Sequence, residues 1–425
     1  MVVITRWLWT AVLRVVAFAD HARWIVLSLV LALTGVIGLA VPTPPALAVA
    51  LAVVSVVLVV LEVRAHHARL REIQFVDRSG DGFADVRAAV EGSDRFEFVG
   101  TSLGHVVVDR VATRAIAAGQ VTAQVADSAY RLPRELSDAG TAFRRRRVAS
   151  GRTYNGHLLG LDADLGGGAA LLATHWRMVP ARYWDHLGSD ILAMKDVLQA
   201  GRLVSDLGRA LYVDRHGRLR DFGESWLLNG IGTSVLALTT DARLVVVSQS
   251  NHNESSQGLL APSGSGSLEP VDFEGATSLR VDELAAHGAL RELSEEAGVA
   301  RSEVRASAFL GFGRWLEKSA KPELLTLALL SIDSHEVRRR RVPGADRPYT
   351  LGIDVVRLNP ARDTWIESDP LSVLEVDAPH RLSVPLVLGL HLLAQQVHDQ
   401  ESPVRRLVDA ALGAPTGPGG PAGSA

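Results

Sequence analysis

The sequence predicts an α/β protein carried behind a two-helix transmembrane hairpin, and three observations support that reading. Trp24 to Leu61 contains no charged residue. Downstream, β-rich runs such as GTSVLALTTDARLVVVSQS (Gly232–Ser250) alternate with stretches of helical apolar spacing such as SVPLVLGLHLLAQQV (Ser383–Val397). At 425 residues the chain has room for two or three domains, each with its own core. A formal net charge of −3 gives no global basicity, so no specific nucleic acid partner is expected. The absence of cysteine excludes disulfides, thiolate metal sites and cysteine nucleophiles.

Residues 1–23 include TRWLWTAVLRVVAF, whose mix of tryptophans, aliphatics and arginines suits an amphipathic helix lying in the membrane interface. The hairpin is placed at 24–63. Pro42, Pro44 and Pro45 cannot sit inside one continuous helix, so the uncharged run divides there. Its limbs, Trp24–Val41 and Ala46–Leu61, would span roughly 27 Å and 24 Å, slightly under a bilayer core of about 30 Å. Arginines flank both outer ends (Arg6, Arg14 and Arg23 before; Arg64, Arg69 and Arg71 after). By the positive-inside rule this predicts a two-pass protein of the cell membrane, touching lipid, with its soluble domains in the cytoplasm. A cleaved signal peptide and a buried soluble hairpin are competing readings; the second apolar run disfavours the first of them.

Residues 64–222 read as a cytoplasmic α/β region without a declared motif. FEFVG (Phe96–Gly100) and HLLGLDADL (His157–Leu165) read as strands, and Ser189–Leu211 has helical apolar spacing broken by Gly201. LGGGAALLATHW lacks the spacing of either nucleotide-binding glycine motif. His157, His175, His186 and Asp185 show no metal-ligand spacing and are read as ordinary residues. The arginine runs Arg144–Arg147 and Arg338–Arg341 are read as solvated faces, with lipid headgroup contact or attraction of a polyanion as alternatives.

Residues 223–400 show the sharpest pattern. A strand hairpin turns at TTDAR, and a polar glycine-rich loop follows, APSGSGSLEPVDFEG (Ala261–Gly275). An acidic helix is expected over Leu284–Ala297, then strands in ASAFLGFGRWL, PELLTLALLSI and YTLGIDVVRL, and a closing helix at Ser383–Val397. Residues 413–425 are too rich in Gly, Pro and Ala to fold and form a disordered tail. In the acidic helix Glu292, Glu295 and Glu296 share one face and repel one another. Gly298 sits at a left-handed helix end, so Glu295 and Glu296 occupy the last turn, where the helix dipole disfavours carboxylates. A hard divalent cation would turn that repulsion into coordination. A solvated surface helix is the competing reading.

The span DELAAHGALRELSEEAGV (Asp282–Val299) resembles the signature of the Nudix hydrolases: a glutamate, seven residues, then Arg-Glu-aliphatic-x-Glu-Glu-x-Gly-aliphatic. Glu283 matches the leading glutamate, and Arg291, Glu292, Leu293, Glu295, Glu296, Gly298 and Val299 match the rest. The resemblance implies a Nudix-like α/β/α sandwich with a mixed sheet. It implies that Glu292, Glu295 and Glu296 bind Mg²⁺ or Mn²⁺, that Arg291 and Glu283 pair, and that these residues cleave a pyrophosphate bond in a nucleoside diphosphate derivative. The general base would be a box glutamate or a glutamate further along, Glu317 or Glu323. The family's glycine six residues before the leading glutamate is Thr277 here, so Gly264 or Gly266 is expected to bring backbone to the phosphates. A catalytically silent nucleotide sensor on the same fold is the alternative. Isoprenyl diphosphate isomerisation is set aside, because family members that catalyse it rely on a cysteine.

Overall fold

The computed structural model describes residues 72–78, 82–149, 155–163, 165, 173–250, 258–342, 350–375 and 382–413, with isolated positions between 49 and 70. Among the described residues no helix is long and apolar enough to cross a membrane. The transmembrane hairpin expected at 24–63 and the two-pass membrane location drawn from it are corrected accordingly. Each limb was already at or below the length that a bilayer core demands. Residues 1–48, with the interfacial helix expected at 1–23, lie outside the described residues, as do 414–425 of the expected tail.

The chain forms two compact units. One comprises Met1–Asp77, Leu132–Thr153 and Lys195–Gly208. In it Ile73–Asp77 pairs antiparallel with Lys195–Gln199, which turns back on itself as Arg202–Leu203. Ala200 and Gly201 at the turn have φ of 49° and 76°, the double positive φ that a two-residue hairpin needs to match strand twist. The helix expected over Ser189–Leu211 therefore keeps only its first residues. Gly201 closes a hairpin where a helix break was expected. In the helix Arg134–Ala149 of this unit, the Arg146 guanidinium lies 5.0 Å from the Phe75 ring centre and donates to the Ile73 carbonyl, so the arginine run is partly tied down.

The other unit comprises Arg78–Arg131, Tyr154–Met194 and Arg209–Ala425. Among the described residues its largest sheet has nine strands. They are β1 (Phe96–Gly100), β2 (His105–Asp109), β3 (Gly232–Leu238), β4 (Arg243–Gln249), β5 (Leu260–Ala261), β6 (Gly264–Ser267), β7 (Val304–Trp315), β8 (Lys321–Leu330) and β9 (Thr350–Arg357). The order is β5-β4-β3-β8-β7-β2-β1, with β6 also beside β3 and β9 also beside β4. Only β3 and β8 run parallel. A second sheet in this unit joins Ser278–Arg280, Thr122–Val125, His175–Arg182 and His157–Asp162.

Four helices pack on this sheet: α1 (Arg110–Ala117), α2 (Val281–Ala297), α3 (Val384–Val397) and α4 (Pro403–Leu412). Strand alternation explains how α2 and α3 take opposite faces of the sheet. In β3, Val235 and Ala237 pack with Ala289, Leu290 and Leu293 of α2. Their neighbours Leu236 and Leu238 pack with Leu386, Leu388 and Leu390 of α3. Each such leucine contributes about 1.5–3 kcal/mol by leaving water, so both helices are fixed by burial rather than by intrinsic propensity. At the β3–β4 turn Asp241 accepts from the Thr239 hydroxyl (2.7 Å) and from the Ser334 backbone N–H (2.8 Å).

Candidate functional site

The acidic face of α2 is set by close approach to β6. A Cβ on Gly264 would lie 2.4 Å from the Leu293 nitrogen, and one on Gly266 would lie 2.1 Å from Glu292 Oε1. Two glycines in a strand that would gain from β-branched residues are thereby explained: they let a helix sit directly on the backbone. The stretch expected as a glycine loop is thus a strand, paired with β3 from Gly264↔Val235 to Ser267↔Gly232. At the far end of α2, Gly298 has φ 64° and donates to the Ser294 carbonyl at 3.1 Å, the left-handed cap its position predicts.

The repulsion along α2 is answered first by an arginine. The Arg291 guanidinium binds Asp272 (Nε to Oδ1 2.8 Å, Nη2 to Oδ2 3.1 Å), Glu292 Oε1 (2.8 Å) and Glu295 Oε2 (3.1 Å), and donates to the Ser267 carbonyl at 2.8 Å. Burial alone would push its pKa down, but the Asp272 hydrogen bond and the charges of Glu292, Asp272 and Glu295 carry it up. The predicted pairing of Arg291 with Glu283 does not form. Glu283 lies near the start of α2, half exposed and 3.6 Å from Arg280, while the buried Asp272 takes its place. The geometric reason is the roughly 12 Å of axial separation between residues eight apart on one helix. One guanidinium shared by three carboxylates leaves an excess of acid. Burial above all, with the charges of Glu295 and Asp272 added and Arg291 opposing, pushes Glu292 up to about 7.

Beside this face lies a cavity of about 310 Å³. Glu296 lines it, with its Oε2 accepting from the Ser265 N–H at 2.9 Å, and so do Ser265, Gly266 and Ser267. Across from β6 it is bordered by Lys318, Lys321 and Glu323, the last two paired at 2.7 Å. Glu295 is half exposed and does not line it. Of the two later glutamates, Glu323 is on the cavity, buried in β8. Glu317 instead binds His105, accepting from its backbone N–H at 2.8 Å and lying 2.7 Å from its Nδ1. His186, read from the sequence as ordinary, also borders the cavity, 3.6 Å from the fully buried Asp190. Asp190 accepts from Ser189 Oγ, the Leu228 N–H and the Gly230 N–H. His186 and Asp190 stand four residues apart on one helical stretch, but folding alone brings them to Leu228, Gly230 and the cavity.

Oxygen donors of the kind a hard divalent cation takes are present on α2, but of its glutamates Glu296 alone lines the cavity. Glu292 and Glu296 are buried carboxylates on one helix face, and the bare backbone at Gly266 makes room for the Glu292 carboxylate. Among the described residues the group of three whose ligand atoms lie within 4.8 Å of one another is a different one, Glu97, Glu367 and His391. No family model matches the chain, and no curated protein matches it. Among solved structures, the crystal structure of DR0079 from Deinococcus radiodurans is similar at 12% identity, covering 38% of this chain and 80% of that one, with a TM-score of 0.25. A likeness at that level carries no argument about function.

Proposed function

We propose that the chain is a Nudix-type pyrophosphohydrolase that uses Mg²⁺ or Mn²⁺ to cleave a pyrophosphate bond in a nucleoside diphosphate derivative. The observation that carries this reading is the wall of the 310 Å³ cavity, with Glu296 and the β6 backbone on one side and Lys318 and Lys321 on another. Acid to hold a cation and cation to hold a phosphate border the same space. The metal, when bound, would neutralise the pyrophosphate and lower the pKa of a bound water. Glu292 and Glu296 would hold it, and Arg291 would fix their helix face against β6. Glu295, half exposed and off the cavity, would join them only by turning away from Arg291. Lys321 would meet a phosphate oxygen while keeping Glu323 Oε1, leaving Glu323 Oε2 to accept the proton of the attacking water. Asp272 keeps Arg291 in place, the role expected of Glu283.

A silent nucleotide sensor is the second reading, favoured by Arg291 already occupying the acidic face. Metal-dependent hydrolysis across a panel of nucleoside diphosphate derivatives decides between them. The hydrolase reading expects Glu296→Gln to lose about 10²–10³ in rate, the scale of removing one electrostatic contact to a transition state. Full activity in the double variant Glu295→Gln, Glu296→Gln would overturn the mechanism. Binding without turnover would establish the sensor.

A further inference from the structure

Outside that cavity, the fold gathers three metal-ligating side chains from distant parts of the sequence. Glu97 on β1, His391 on α3 and Glu367, between β9 and α3, each place a ligand atom within 4.8 Å of the others. His391 is 4% exposed. Its Nδ1 lies 2.9 Å from the Glu367 carbonyl oxygen, which can only accept, so the ring proton sits on Nδ1. Nε2 then faces Glu97 Oε1 at 3.1 Å, yet it is buried and aligned for no hydrogen bond. A 3.1 Å separation is close to the roughly 3.3 Å between two ligands held at about 2.0–2.1 Å by one tetrahedral ion.

Each ligand is also held from behind. Glu97 Oε2 accepts from Arg110 Nε at 3.2 Å and from Gln395 Nε2 at 3.3 Å, and the same Gln395 nitrogen donates to Glu367 Oε2 at 3.3 Å. Arg110 Nη2 adds a contact to Glu97 Oε2 at 3.1 Å. A histidine anchored through its far nitrogen to a carbonyl, with carboxylates oriented by an amide and a guanidinium, is the outer-shell pattern that positions metal ligands. Glu367 is the least buried of the three, which gives an ion a way in from solvent.

We infer that Glu97, Glu367 and His391 form a binding site for a divalent transition cation of the Zn²⁺ class, separate from the α2 face. Imidazole and carboxylate together suit Zn²⁺ better than the all-oxygen preference of Mg²⁺. The cation takes the position that a proton on Nε2 would otherwise fill, and water completes its coordination.

The test is Zn²⁺ titration of the chelator-stripped full chain in excess Mg²⁺, read by calorimetry and by the visible spectrum of the Co²⁺ form. One Zn²⁺ per chain is expected, with affinity falling about 10- to 100-fold in Gln395→Leu, a change behind the ligands, and further in His391→Gln. The Co²⁺ spectrum should change between the wild type and His391→Gln as a nitrogen ligand is lost. An unchanged stoichiometry, affinity and spectrum in both variants would overturn the site, as would a wild-type chain that binds no Zn²⁺. Should His391→Gln fail to fold, the Gln395→Leu comparison still decides.

Discussion

Glu292 on α2 and Glu97 on β1 are both glutamates largely withdrawn from water, and their surroundings move them in opposite directions. At Glu292, burial leads and nearby carboxylates add to it, so the group is pushed up to about 7 despite Arg291. At Glu97, burial also pulls upward, but His391 foremost, then Arg110 and Gln395, hold the group at about 2. Two things separate them: Glu292 is the more deeply buried, and the count and geometry of the neighbouring cations differ. On α2 one tethered guanidinium serves three acids. Around Glu97 the cations and donors match the acid, and one of them, a proton on His391, is exchangeable.

The largest expected effect is on the tethered arginine. Arg291→Leu should cost about 3–5 kcal/mol, because it strands the buried Asp272 and Glu292, whereas Arg110→Leu, at a guanidinium 39% exposed, should cost under about 1 kcal/mol. Equal losses in denaturant unfolding would break the contrast between the two regions. Next, Glu97→Gln should destabilise by about 1.5–3 kcal/mol through lost charged hydrogen bonds, while Glu292→Gln, losing a charge its surroundings resist, should stay within about 1 kcal/mol of wild type. The close seat of α2 gives a third measurement. Gly264→Ala should cost about 1–3 kcal/mol because its Cβ meets backbone that cannot step aside. Gly352→Ala in β9, with open space around it, should stay within about 0.5 kcal/mol on packing grounds.

The smallest effect lies outside both regions, at Asp241. Burial would raise this carboxyl, but hydrogen bonds from Ser334 and Thr239 hold it at about 2, below its ordinary 3.8. A depressed acid stabilises the fold above its unfolded pKa and loses that contribution as pH falls through the folded one. Acid unfolding of Asp241→Asn should therefore lack a small increment that the wild type loses between about pH 4 and pH 2. Because the side chain is 41% exposed, the difference should shrink in high salt.

What the sequence made legible follows from range. The acidic helix, β3 with β4, and α3 carry periodicity within a few turns or strand residues, so their boundaries emerge to within a few positions. Ser189–Leu211 misled because short apolar runs fit either period, and the deciding fact, positive φ at both Ala200 and Gly201, is a backbone property. At the site, Glu292 and Glu296 could be picked out because they are neighbours on one helix. Asp272 could not displace Glu283 in a sequence reading, since its approach to Arg291 depends on the 3₁₀ turn at Pro270–Phe273. The assembly of Glu97, Glu367 and His391 across nearly 300 residues left no local trace at all.

The attachment of β2 to β7 decides where this protein can be cut. Gly313, Arg314 and Trp315 are paired with Val108, Val107 and Val106, and the buried Arg314 guanidinium donates to the Arg220 carbonyl and stacks 4.1 Å from the Phe222 ring centre. A fragment starting at residue 223 would strip an apolar ribbon from a sheet margin and abandon a desolvated charge in one stroke. Anyone trimming the chain should instead keep everything from Ile73 onward, so that Lys195–Gln199 keeps its partner strand as well.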